Sequence, residues 1–203
     1  MDHDEGRFAL SSRGAAWLLV AIGLAVFANS LDGVFIFDDL SYVNEAVLGA
    51  QSWDWLLADN ERPIKGRPLV GLSFVVNYAF GGEQVAGYHA FNITVDLAVA
   101  LTLFSVIRQT LIRFVPGGIP GLSNTGFAFA CACALLWTIH PLQTECVNYL
   151  SQRTESMAGL FMLAAFYGSI RSDEEVGRSR WIALVGVTSW AASLCRFLAQ
   201  FSG

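Results

Sequence analysis

Long apolar stretches separated by short polar segments dominate the pattern of hydrophobic and polar residues along this chain. A helix needs roughly 20 apolar residues to cross a bilayer, and several stretches come close to that length. The pattern predicts about five membrane-spanning helices, at residues 14–31, 86–107, 126–139, 156–170 and 181–198. A further apolar stretch, residues 69–80, is short for a span and is expected to lie at the interface or to dip part-way into the bilayer.

Composition agrees with a membrane protein. Of 203 residues, 54% are hydrophobic and 14% are charged, whereas soluble domains carry about 25% charged residues. This composition excludes a soluble globular domain and predicts an all-α membrane protein. The net charge of −5 offers no basic face, so nucleic acid is excluded as a partner. None of the 4 cysteines has zinc-site spacing with supporting histidines, so no metal site and no disulfide framework are expected.

The distribution of Arg and Lys predicts the orientation of the spans. Residues 1–13 are expected on the cytoplasmic side, a long outer loop at residues 32–85, and a short tail at residues 199–203. Seven of the 12 basic residues then lie on the inner side. A cleaved signal peptide ending near Val26-Phe27-Ala28 is the alternative for the first stretch, and it leaves the outer loop on the same side.

The predicted outer loop contains charged residues close to apolar ones, where burying a charge is unfavourable. Asp38 and Asp39 directly follow an apolar run, and desolvation together with mutual repulsion is expected to raise a carboxyl pKa there. A solvated turn or a helix N-cap is the alternative interpretation of such a pair. Arg62, Lys65 and Arg67 form a cationic cluster that suits a phosphate or lipid headgroup, or that is ordinary surface charge.

A second group of polar residues lies at the start of the predicted second span. His89, Asn92 and Asp96 have spacings of three and four, which place them on one helical face. Asp96 lies inside the span, where a charge costs about 2.5–3.5 kcal/mol on insertion scales. Both a polar contact between helices and a functional role are consistent with this pattern.

A third polar group follows the third span. It begins at His140-Pro141, includes Glu145, and ends at Arg153 before the next span. An arginine at a helix end also reaches headgroups by snorkelling. All three polar groups fall on the same side of the membrane in this topology, and the hypothesis is that they meet in one pocket.

Several short motifs occur in order between about residues 30 and 170. They are Phe37-Asp38-Asp39, Arg67-Pro68-Leu69, Asn77-Tyr78, His89-Ala90-Phe91-Asn92, the string from Leu136 to Glu145, Val147-Asn148-Tyr149 and Arg153. Through these motifs the chain resembles the N-terminal membrane region of the tetratricopeptide-repeat-containing O-mannosyltransferase-like proteins. That family belongs to the polytopic GT-C class of glycosyltransferases, which takes sugars from polyprenyl phosphates.

The resemblance implies a function. An acidic residue of the first outer loop, here Asp38 or Asp39, would be the catalytic base on the non-cytoplasmic face. Arg153, with Arg67 or Arg62, would hold the lipid phosphate. The donor would be a polyprenyl-phosphate sugar of the mannose type, the acceptor would be a protein hydroxyl, and no metal or other cofactor is implied. The remaining substrate-binding positions implied are His89, Asn92, His140 and Glu145.

The chain departs from the family pattern in two respects. Members usually carry another histidine where Asp96 stands, and they have more spans followed by helical repeats. A truncated gene is therefore one expectation, and a catalytically inactive membrane scaffold or gene remnant is the rival interpretation. A transporter is disfavoured because Asp96 has no counterpart in a second half of the chain.

Overall fold

The computed structural model describes residues 11–51, 67–114, 122–172 and 178–196, and within those ranges the chain is helical with no strand. The predicted all-α fold is confirmed. Segments of 3-10 helix lie at Ala28–Asp32 and Leu150–Gln152. The α-helices are α1 Ser12–Phe27, α2 Asp39–Gln51, α3 Pro68–Gly81, α4 Val85–Phe114, α5 Leu122–Thr138, α6 Pro141–Asn148, α7 Arg153–Ser172 and α8 Arg178–Arg196.

Local sequence signals explain where several helices begin. The Ser11 hydroxyl accepts a 3.1 Å hydrogen bond from the backbone N–H of Gly14 and caps α1. Pro68 and Pro141 occupy the first turns of α3 and α6, where a missing N–H costs no helical hydrogen bond. These three helices therefore begin at residues that are common at helix N-termini.

Two helical segments, Ser12–Asp32 and Val85–Arg113, are long and apolar enough to cross a membrane. Helices α5 and α6 form a pair bent by 56°, which makes a third span if the two count as one. These segments confirm the membrane character of the chain. Helices α7 and α8 lie where the fourth and fifth spans are predicted, and the count of about five spans stays a prediction.

Part of the predicted outer loop is helical. Residues 39–51 form α2, which the apolar pattern did not predict, and the short apolar stretch forms α3. Helix α2 packs against α3. Arg62 and Lys65 lie outside the described residues, as does the tail at residues 199–203.

Helix α4 lies at the centre of the fold and packs against α1, α5 and α7, while α7 also pairs with α8. Three buried apolar clusters result in the described ranges, a small one around Leu97 and two larger ones. One joins α1, α4 and α5 around Leu19, Phe104 and Ala134. The other joins α2, α3 and α4 around Tyr42, Phe74 and Tyr88. The buried polar residues of the candidate site lie beside the second of these clusters.

Helix α1 approaches α4 closely at Gly23. A Cβ at this position would collide with Cδ2 of Leu97 and lie 3.3 Å from Cγ2 of Thr138. Small residues let apolar helices approach one another closely in membranes. The absence of a side chain at Gly23 therefore sets the spacing of α1, α4 and α5.

Candidate functional site

Arg153, at the start of α7, is the centre of a buried polar network. Its side chain is fully buried, and it links two other helices to α7. The guanidinium donates from Nε to Asn92 Oδ1 at 2.7 Å, from Nη1 to Asn77 Oδ1 at 2.8 Å and Ser73 Oγ at 3.3 Å, and from Nη2 to the Tyr88 carbonyl at 3.0 Å. The acceptors lie on α3 and α4, so Arg153 joins three helices.

Aromatic rings enclose the same guanidinium. Its central carbon lies 4.1 Å from the ring centroid of Phe74 and 4.4 Å from that of Phe91. Such cation–π contacts strengthen when the cation is desolvated. The four hydrogen bonds use most of the N–H donors that a guanidinium has. The role of Arg153 in holding a lipid phosphate stays a prediction, and its surroundings favour a structural role.

Asp39, the first residue of α2, is completely buried. Its Oδ2 accepts a 2.9 Å hydrogen bond from the backbone N–H of Ile36, and its Oδ1 accepts a 3.0 Å bond from that of Leu150. Desolvation raises the pKa of the Asp39 carboxyl above its ordinary value of 3.8, although these two hydrogen bonds and His89 lower it. The Asp38 charge also raises this pKa, but desolvation is the larger cause.

Asp38 differs from its neighbour because its side chain is exposed. No hydrogen bond to its carboxylate is seen among the described residues, while its backbone carbonyl accepts from Ser41 and Tyr42. Phe37, directly before it, has a φ of +47°. A left-handed conformation costs an L-residue about 1–2 kcal/mol. The turn therefore buries one carboxylate and presents the other outward.

His89 and Asn92 hold α6 against α4. His89 Nδ1 lies 3.2 Å from the carbonyl oxygen of Val147, and Asn92 Nδ2 donates to the same oxygen at 3.1 Å. His89 Nε2 is buried without a hydrogen-bond partner in the described part of the chain. It lies 3.0 Å from the place that a Cβ on Gly33 would take. The predicted helical face is thus turned toward α6.

Asp96 lies on the same helix and is 2% exposed. Its Oδ2 atom has no hydrogen-bond partner within the described ranges. The three residues that the spacing places on one helical face, His89, Asn92 and Asp96, are all buried. The role of Asp96 is not determined by these contacts.

Arg67 lies directly before α3 and has donors to spare. Its Nη1 lies 3.5 Å from Thr154 Oγ1, a long hydrogen bond. Its Nε atom is buried and has no acceptor among the residues that the structure describes. The Arg67 side chain as a whole is half-buried, whereas that of Arg153 is fully buried, so Arg67 is the more accessible of the two to an anion. Its neighbour in space, Thr154, adjoins Arg153 in the chain, so both arginines lie at one end of α7.

His140 and Glu145 are exposed on α6. The Nδ1 atom of His140 accepts a 3.3 Å hydrogen bond from the backbone N–H of Leu142 and caps the helix. No hydrogen bond in the described ranges joins either side chain to Asp39 or Arg153. The structure thus brings together Asp39, His89, Asn92, Arg153 and Arg67, and it leaves His140 and Glu145 at the surface of α6.

Sequence reasoning missed the acceptors on α3. Ser73 and Asn77 both accept hydrogen bonds from Nη1 of Arg153. Asn77 stood within one of the motifs of the family resemblance, but no role was assigned to it. A hydrogen-bonding amide within a short apolar stretch was the signal available, since polar groups in such segments usually have a partner.

Known proteins that are similar in sequence to this chain are named as protein O-mannosyl-transferases. The protein O-mannosyl-transferase TMTC1 of Mus musculus is 31% identical over 178 residues, which cover 82% of this chain and 18% of the mouse protein. TMTC4 of Homo sapiens is 28% identical over 217 residues, covering 97% of this chain and 29% of the human protein. Tmtc3 of Drosophila melanogaster is 27% identical over 184 residues, covering 80% and 20% respectively.

The chain is TMTC-like. The family resemblance carried by the motifs is thereby confirmed. The chain spans less than a third of the length of these TMTC relatives. No family model matches the chain, and no solved structure matches it.

Proposed function

We propose that this TMTC-like chain is part of a membrane glycosyltransferase that moves a mannose-type sugar from a polyprenyl phosphate to a protein hydroxyl. The relatives are named as protein O-mannosyl-transferases, which supports the reaction class. The chain would contribute the catalytic carboxylate and a cation for the donor phosphate, on the non-cytoplasmic side of a GT-C fold of several spans.

The observation that carries this proposal is the division between the two aspartates. Asp39 is buried with both oxygens occupied by backbone N–H groups, whereas Asp38 is exposed beside it. A general base needs access to the proton it removes. We therefore assign the base to Asp38 and a positioning role to Asp39, a choice that the sequence left open.

The proposed step is a single displacement. The acceptor hydroxyl attacks the anomeric carbon while its proton passes to the carboxylate of Asp38. The bond between the anomeric carbon and the phosphate oxygen breaks, and the configuration inverts. The lipid phosphate leaves as an anion, which the half-buried guanidinium of Arg67 would stabilise. Arg153 would act through its contacts, by fixing α3, α4 and α7 around the carboxylates.

The test is a transfer assay with membranes that contain this chain. A labelled polyprenyl-phosphate mannose is added, and protein-linked label is measured. Asp38→Asn is expected to abolish transfer. Asp32→Asn is the matched control, since Asp32 is an exposed aspartate six positions earlier whose loss should leave transfer unchanged.

Two outcomes contradict the proposal in different ways. Undiminished transfer by Asp38→Asn would refute the assignment of the base. No transfer by the unchanged chain, in membranes where a full-length TMTC protein is active, would favour the inactive scaffold or remnant.

A further inference from the structure

Four large apolar side chains are exposed, three of them within four residues of Asp38 in the chain. Val34 is 71% exposed, Phe37 88% and Leu40 57%. Phe80, at the end of α3, is 91% exposed. We call these four residues the apolar rim. Isolated exposed apolar residues need no explanation, but a group that includes two almost fully exposed phenylalanines does.

The apolar rim lies where two candidate membrane spans end. The segment Ser12–Asp32 ends just before Gly33, and a Cβ on Gly33 would lie 3.0 Å from Nε2 of His89, in the first turns of the second span. Phe35 packs edge-on against Tyr88, with ring centroids 5.7 Å apart. The end of one span and the beginning of the other therefore reach the same level of the molecule.

Phe80 is tied to that level from the other side. It lies five residues before Val85, which begins α4. In addition, Nδ2 of Asn77 donates a 3.1 Å hydrogen bond to the carbonyl oxygen of Gly87. The end of α3 is thus held against the first turn of α4, and the Phe80 side chain projects at the height where the span begins.

Phe37 has an unfavourable backbone conformation and little contact within the protein. Its φ of +47° is rare for a residue with a large side chain. The turn is held from both sides, since the Asp39 carboxylate accepts from Ile36 N–H and the Ile36 carbonyl accepts from Asp39 N–H at 3.0 Å. The one aromatic ring contact seen for Phe37 in the described part of the chain is the edge of Tyr149, at 6.2 Å between centroids.

We propose that the apolar rim inserts into the headgroup–acyl boundary of the bilayer and holds Asp38 at the membrane surface. The lipid surface is the occupant because the rim continues directly from two membrane spans at their shared level. Aromatic side chains concentrate at that boundary in membrane proteins. Insertion to about 5–10 Å is typical of interfacial apolar faces. This proposal does not depend on catalysis by the chain.

The test is photocrosslinking in vesicles of phosphatidylcholine that carry a small fraction of a fluorescent phospholipid. Phe37 is replaced by p-benzoylphenylalanine, the chain is reconstituted, and lipid adducts are measured after irradiation. Two phenylalanines serve as references: Phe129, which is 57% exposed on α5 within the bent apolar pair, and Phe74, which is 0% exposed. The same replacement at Val34 provides a second position on the rim.

The expected result is a lipid-adduct yield at Phe37 and Val34 comparable to that at Phe129 and several times that at Phe74. A yield at both rim positions no higher than at Phe74, with Phe129 labelled normally, would overturn the proposal. Crosslinks from position 37 to protein in place of lipid would also overturn it. The mass of the product would show whether the crosslink joins two copies of the chain or two parts of one copy.

Discussion

Oδ1 of Asp39 accepts a 3.0 Å hydrogen bond from the backbone N–H of Leu150, a residue 111 positions later in the chain. This bond joins the turn after the first span to the 3-10 helix that precedes α7. Arg153 lies directly after that 3-10 helix and holds α3 and α4. The exposed carboxylate of Asp38 is therefore positioned by a network that reaches four helices.

Asp39→Ala is expected to destabilise the fold by about 2–6 kcal/mol, since two backbone N–H groups lose their acceptor and such groups cost about 1–3 kcal/mol each when buried. Asp38→Ala is the matched control. A surface substitution usually changes stability by less than about 0.5 kcal/mol. Thermal unfolding in detergent, followed by circular dichroism, measures both. Equal destabilisation by the two variants would contradict the division of roles between the aspartates.

The raised pKa of Asp39 predicts that the free energy of unfolding depends on pH. Its pKa is raised above 3.8 by burial, so the folded chain binds the proton more tightly than the unfolded chain does. The Asp39 contribution is then fully present below pH 3.8 and is lost as the pH rises through the raised pKa. Asp39→Asn, which does not titrate, is expected to lose less stability between acid and neutral pH. A melting-temperature profile identical to that of the unchanged chain would refute this linkage.

Arg153→Met is expected to cost more than about 3 kcal/mol, because it leaves several buried oxygens without a donor. Arg153→Lys should not restore stability, since an ammonium does not reproduce the planar fork that reaches Asn92, Asn77 and Tyr88. Denaturation in detergent distinguishes this role from ligand binding. If Arg153 served only to hold a phosphate, Arg153→Lys would fold with unchanged stability and show a raised KM alone.

The conformation of Phe37 gives a further prediction. Phe37→Gly and Phe37→Ala both remove the ring, but only alanine retains the Cβ that is strained at a φ of +47°. The glycine variant is expected to be more stable than the alanine variant by about 1 kcal/mol. Urea or thermal unfolding of the two variants in the same detergent measures the difference. Equal stabilities would show that the turn relaxes when the ring is removed.

The sequence predicted the positions of several helices and one shared helical face. The long apolar stretches predicted helices at residues 14–31, 86–107 and 126–139. Helix α4 covers the second of these ranges, α5 covers all but the last residue of the third, and α1 with the 3-10 helix after it covers the first. Spacings of three and four also predicted the buried face that His89 and Asn92 share. These signals are local, because a helix places residues three or four apart on the same side.

The remaining features depend on contacts that have no local signal. Arg153 meets acceptors between 61 and 80 residues away, and nothing in its immediate neighbours indicates that it is buried. Asp38 and Asp39 are adjacent and chemically identical, so only the turn at Phe37 decides which is buried. Helix α2 was missed because the apolar pattern of residues 39–51 is mixed with polar residues.

The bond between Asp39 and Leu150 also bears on when the site forms during synthesis. The aspartate leaves the ribosome 111 residues before its donor does. Arg153, which fixes the neighbouring helices, follows three residues after Leu150. Until α7 has been translated, the turn holding Asp38 lacks its partner from the α6–α7 junction. The polar network around Asp39 is therefore completed only after helices α1 to α6 have been synthesised.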